Sequence, residues 1–235
     1  MVPSIRQVTH ASACRRGLQP TLLLLLLLAK ATSAQPVLPK FMGREITVVD
    51  PGRGPDGFDP KGPASICVEG PPQRQCYTTP QGYGNNPRVV VVQLDKDVSA
   101  LLFSAQTGGV SGWQIHLALL RPEPGKDLKD FFLSDTSVSS QSQYTFWNDS
   151  TISDAQIFVT ADYVWGPDEG HIFEHRYIIS VYVRKPSTMI DGLYYYLEDR
   201  YMTARKYDLD ANADILNSEK QEILARLRRI KAESK

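Results

Sequence analysis

The sequence predicts a mainly β fold. The expected architecture is an antiparallel β-sandwich, or a barrel-like variant of it, with a Pro/Gly-rich N-terminal arm and a C-terminal amphipathic helix. Three observations predict it. Short apolar runs, several with strict alternation, recur between residues 88 and 207. Turn residues separate these runs and no helical pattern lies between them, which excludes a parallel α/β sheet. A helical period emerges only in residues 218–235.

The first 34 residues read as a leader. Arg6, Arg15 and Arg16 precede an unbroken run from Leu22 to Leu28. Thr32-Ser33-Ala34 then places small residues before a cut at Gln35, the layout of a cleaved secretory signal over residues 1–34. Seven leucines fall far short of the roughly 20 apolar residues that a spanning helix needs. The chain is therefore expected to be exported, periplasmic or extracellular, and not membrane-spanning after cleavage. Arg15-Arg16 and Lys30 also fit a twin-arginine signal, while the leucine core fits the general secretory route.

Charge narrows the partners. The whole chain holds 26 basic and 26 acidic residues. Arg6, Arg15, Arg16 and Lys30 leave with the leader, so the remainder holds 22 basic against 26 acidic residues. No basic stripe attracts a phosphate backbone, so nucleic acid is not an expected partner. Cys14 also leaves, and Cys67 and Cys76 remain as a pair. Pro71-Pro72 between them can turn the chain back, which predicts a disulfide suited to an oxidising compartment.

Residues 35–87 are dense in turn chemistry, such as Asp50-Pro51-Gly52 and Gly54-Pro55-Asp56-Gly57. They predict an irregular arm with one short strand, Glu45–Val49. The sandwich follows over residues 88–217. Arg88–Leu94 and Val98–Phe103 flank Asp95-Lys96-Asp97 as a hairpin. In Trp113–Leu119, the apolar Trp113, Ile115, Leu117 and Leu119 alternate with Gln114, His116 and Ala118, a half-buried strand. Asp127–Phe132 suggests one helical turn, and Ser134–Ser142 an exposed loop or edge strand. Ile157–Val164 and Phe173–Val183 read as strands. Leu193–Leu197 and Arg200–Tyr207 read as a hairpin turning at Glu198-Asp199. Ser218 and Gln221 fit a capping box for a helix over 219–233. Its apolar stripe of Ile223, Leu224, Leu227 and Ile230 is expected to pack on the sheet.

Candidate chemistry is sparse. His171-Ile172-Phe173-Glu174-His175 matches the H-x-x-E-H pattern of inverted zinc proteases, which requires a helix. The following residues read as strand, where the histidines stand roughly 13 Å apart and Glu174 points away. A looser site is the alternative: Asp168, His171, Glu174 and His175, with a distant ligand such as His116, holding Zn2+ or manganese in a metal-dependent hydrolase. Asp208, Asp210, Asn212 and Glu219 resemble the start of a Ca2+ loop and suggest a calcium-stabilised structural domain, although Ala213 stands where the sharp turn needs glycine. Asp50–Asp59 offers a second acidic turn cluster. Gly109-Val110-Ser111-Gly112-Trp113 lacks the last glycine of a nucleophile elbow, and nothing fixes the spacing of Glu169, Glu174, Glu198 and Asp199 as a glycosidase pair. Trp113, Trp147, Trp165 and Tyr194-Tyr195-Tyr196 raise sugar or peptide binding, but aromatic residues on a sandwich are mostly core. The leading expectation is a non-catalytic binding or interaction module of the cell envelope, needing no cofactor. Its expected partner is a protein or polysaccharide met by the loops Gly166–His171 and Ser134–Asp149.

Overall fold

The computed structural model describes residues 40–109, 112–133, 135–164, 166, 174–187, 192–208 and 214–234. They fall within one unit, Val37–Lys235. The expected leader, residues 1–34, lies outside the described residues. Among the described residues no helix is long and apolar enough to cross a membrane.

Among the described residues, three antiparallel sheets and one C-terminal helix make up the fold. Strands β1 (Ile46–Val49), β2 (Ser65–Val68) and β3 (Gln75–Thr78) form a small sheet in sequential order. Strands β4 (Asn85–Gln93), β5 (Ser99–Gln106), β6 (Gln114–Pro122) and β7 (Leu128–Asp130) form a second, with β8 (Thr136–Ser139) also paired to β6. The third runs β12-β11-β10-β9, from β9 (Gln143–Trp147), β10 (Ile157–Tyr163), β11 (Tyr177–Pro186) and β12 (Leu193–Met202). Helix α1 spans Ile215–Glu233.

Side-chain alternation stacks these elements in four layers. On β5, Leu101, Phe103 and Ala105 face the small sheet and pack on Ile46, Ile66 and Val68. Ala100 and Leu102 face the opposite way, toward Phe158 and Tyr195 of the third sheet. On β10, Phe158 joins that middle core, while Ile157, Val159 and Ala161 turn to α1 and meet Ile223, Leu224 and Leu227. The central strands are thus apolar on both faces, which explains runs such as Ala100–Phe103 that do not alternate with polar residues.

Several local expectations need correction. The segment expected to be an irregular arm carries three strands, because its Pro and Gly residues mark turns between strands rather than the absence of strands. The Trp113–Leu119 strand is exposed at Trp113 and Gln114 and buried on both faces from His116 onward: Ala118 is as buried as Leu117, since the small sheet covers its second side. Asp127–Phe132 is not helical. Its strand β7 pairs with β6, where a sheet edge offers hydrogen bonds that one isolated helical turn cannot match. The hairpin at Glu198-Asp199 is absent. Val181 pairs with Asp199 and Tyr182 with Leu197, so Glu198 is the extra residue of a β-bulge in one continuous strand. The helix starts earlier than residue 219, because the Asp214 carboxylate accepts the Asn217 N–H at 2.9 Å and caps it.

Candidate functional site

One end of the middle core is left open. It lies among the β4–β5 turn, the end of β6, the residues after β7, and the β11 and β12 ends. Two arginines stand there on rows that otherwise feed the core. Arg121 continues the β6 row of Leu117 and Leu119, and Arg184 continues the β11 row that holds Tyr182. A pocket of about 310 Å³ opens between them, walled by Leu94, Val98, Phe131, Leu193 and Tyr195. This volume is at the lower end of the ~300–1,000 Å³ usual for small-molecule sites.

The two guanidinium groups differ in their surroundings. Arg184 donates to the Asp95 carboxylate at 2.6 Å, and both side chains are at least 86% buried (10% and 14% exposed). Burial disfavours the Asp95 anion, but the Asp97 N–H and Arg184 outweigh it and hold its carboxyl below the usual carboxylate range. Arg121 has no acidic partner among the described residues. Its Nε is buried and meets no acceptor. Its strand partner on β7 is Lys129, itself paired with Glu123 at 2.6 Å, and the centroid of the Phe131 ring lies 6.0 Å from the Arg121 guanidinium carbon. The Tyr195 hydroxyl donates to the Gln156 carbonyl at 2.8 Å and is thus committed to the protein.

The backbone at the pocket mouth depends on Gly192. Its φ is +120°, a conformation that side chains with a Cβ rarely adopt. A second cleft, of about 380 Å³, lies between the Ile152–Asp154 loop and the end of α1. Its cations are already matched: Lys185 pairs with Glu198 at 2.7 Å, and Lys231 donates to the Thr151 and Ile152 carbonyls.

The residues singled out in the sequence are dispersed. Cys67 and Cys76 are bonded, directly opposite each other on β2 and β3. Asp168 and His171 lie outside the described residues. Glu174 is exposed. His175 is fully buried, its Nε2 against the Tyr163 hydroxyl and its Nδ1 3.3 Å from the Val164 carbonyl. His116 is not beside it. It lies on the small-sheet side, 2.8 Å from the Tyr77 hydroxyl, where burial pushes its pKa down. Asp210 and Asn212 lie outside the described residues, and Asp208 is exposed. Glu219 faces the sheet, accepting from the Tyr201 and Tyr207 hydroxyls. Among the described residues no three His, Cys, Asp or Glu side chains gather in a way that could hold a metal. Asp50 and Asp56 instead close their own turns through backbone N–H groups.

Sequence reasoning missed the arginine pocket. Its signal was present: alternation places Arg121 two residues after Leu119, on the same face of the strand. Comparison with known proteins finds no matching family model, no matching curated protein and no matching solved structure.

Proposed function

We propose that this chain is an exported, non-catalytic binding module whose recognition element is the pocket at the open end of the sandwich. One observation carries the reading. Arg121 presents a cation with no protein acceptor among the described residues, inside an apolar cavity of ligand size. A buried donor without a partner costs about 1–3 kcal/mol, and more when charged, so Arg121 favours water or a ligand that supplies an acceptor. The pocket supplies apolar walls and positive charge, which is the chemistry of holding a ligand. The Cys67–Cys76 bond supports an oxidising compartment outside the cytoplasm.

Ligand-observed NMR with a mixed fragment set tests this reading. Leu193 sits at the mouth and is 43% exposed, so Leu193→Trp plugs the pocket without disturbing the core. Fragments should bind the parent protein and be lost in that variant. Binding that ignores the plug, or no binding at all, counts against the module reading.

A further inference from the structure

Resting on that pocket reading, we propose that the occupant is a monoanionic amphiphile: a single carboxylate carried on a short apolar body, with the carboxylate on Arg121.

Charge sets the valence of the ligand. Of the two cations at the pocket, Arg184 is already neutralised by Asp95 at 2.6 Å, and Arg121 is not neutralised by any described residue. One positive charge is therefore available. A second negative charge on the ligand would meet the Asp95 carboxylate beside Arg184, in a partly desolvated setting where like charges repel strongly.

Geometry sets the group. A guanidinium is a planar fork of donors that matches a carboxylate in two parallel hydrogen bonds. Arg121 donates to no acceptor among the described residues, so its fork is available to the ligand. The Phe131 ring, its centroid 6.0 Å from the guanidinium carbon, attracts the cation toward the pocket wall. The remaining walls, Leu94, Val98, Leu193 and Tyr195, offer an apolar body a surface out of water.

The Arg121 side chain makes no ion pair or hydrogen bond with a described residue that would explain it structurally. It sits on the row of Leu117 and Leu119, where an apolar residue would extend the core. Arg121→Met should therefore leave the melting temperature unchanged or higher while removing the anion site, a trade that a purely structural arginine would not show.

The test is calorimetric titration of the whole purified protein with octanoate, octanamide and octanedioate at neutral pH. Octanoate should bind at least about tenfold more tightly than octanamide, the scale of a charge-assisted hydrogen bond. Octanedioate should bind more weakly than octanoate. In Arg121→Met the preference for octanoate over octanamide should vanish, with the melting temperature unchanged or higher. Equal binding of octanoate and octanamide, or a preference that survives Arg121→Met, overturns the proposal. If octanamide or neutral fragments bind and are lost in Leu193→Trp, the pocket reading stands and the carboxylate inference alone falls. If neither these probes nor any fragment binding responds to Leu193→Trp, both fall.

Discussion

Asp95 and Arg184 join two sheets across the open end of the middle core. Asp95 sits in the β4–β5 turn and Arg184 on β11, 89 residues apart in the chain and 2.6 Å apart in space. Asp95 also accepts the Asp97 N–H at 2.8 Å, so one carboxylate both shapes its turn and clamps the neighbouring sheet.

Asp95→Asn should cost about 2–4 kcal/mol, because it leaves the Arg184 cation buried without a counter-charge. The loss should depend on pH. The Asp95 carboxyl is held below its unfolded value, so its stabilisation is present above the ordinary carboxylate range and is lost as pH falls through the lowered folded value. Urea denaturation of both proteins at neutral pH and near pH 3 checks this. A gap that is unchanged at low pH would show that the ion pair is not its source.

Asp130 has the opposite sign. Burial pushes its carboxyl up to about 7, against the hydrogen bonds it accepts from the Phe132 and Leu119 N–H groups. Between the unfolded carboxylate range and pH about 7, the folded chain holds a proton that the unfolded chain has released. Stability should fall as pH rises across that window, by about 1 kcal/mol per pH unit. Asp130→Asn keeps an acceptor for the two N–H groups and should remove this slope. The readout is the difference between parent and variant denaturation midpoints at pH 5, 6 and 7.

The disulfide ties two strands that already pair. Replacing Cys67 and Cys76 together by Ala should cost roughly 2–3 kcal/mol, since the bridged loop is short. The small sheet covers one face of β5 and β6, so its loosening should raise hydrogen exchange at Phe103 and Ala118 before it affects α1. Exchange that rises first in the helix would contradict the layered packing.

Helix α1 docks by its apolar stripe and by ion pairs that include Arg226–Asp199 and Arg228–Asp149. Leu227 is 2% exposed, and Leu227→Ala should cost about 2–4 kcal/mol by opening a cavity against β10. Arg226 binds Asp199 through two nitrogens, at 2.6 and 3.0 Å, and lies over the Tyr201 ring. That pair is partly exposed, so Arg226→Ala should cost less, about 1 kcal/mol. Thermal unfolding of the two variants ranks them, and an equal or reversed ranking would contradict this account of docking.

Much of the β framework was legible in the sequence. Alternation in Tyr177, Ile179, Val181 and Val183 marks the face that meets α1, and these residues pack there. Period two and period 3.6 are properties of the local backbone, so they survive in a single sequence. The small sheet was less legible. Strand β1 is signalled by the run Glu45–Val49, but β2 and β3 have four residues each, too few for alternation to emerge among turn residues. In the sequence Glu198-Asp199 looks like a turn because a bulge and a turn both use polar residues to interrupt a pattern. Only the partner strand distinguishes them, and Tyr182 pairing with Leu197 does so.

The candidate site was the least legible part. Arg121 is an ordinary arginine at the end of a strand until the layer across from it is known. By itself the sequence determined the β framework, the pairing of Cys67 with Cys76 and the apolar stripe of the terminal helix, because each follows from local spacing. Only the tertiary structure decided that β5 and β6 are covered on both faces, that His116 and His175 lie apart, and that Arg184 finds Asp95 while Arg121 finds no described acceptor. Burial and charge pairing are set by whatever packs opposite a residue. In this fold the opposing residues come from strands distant in the chain, so no local pattern carries that information.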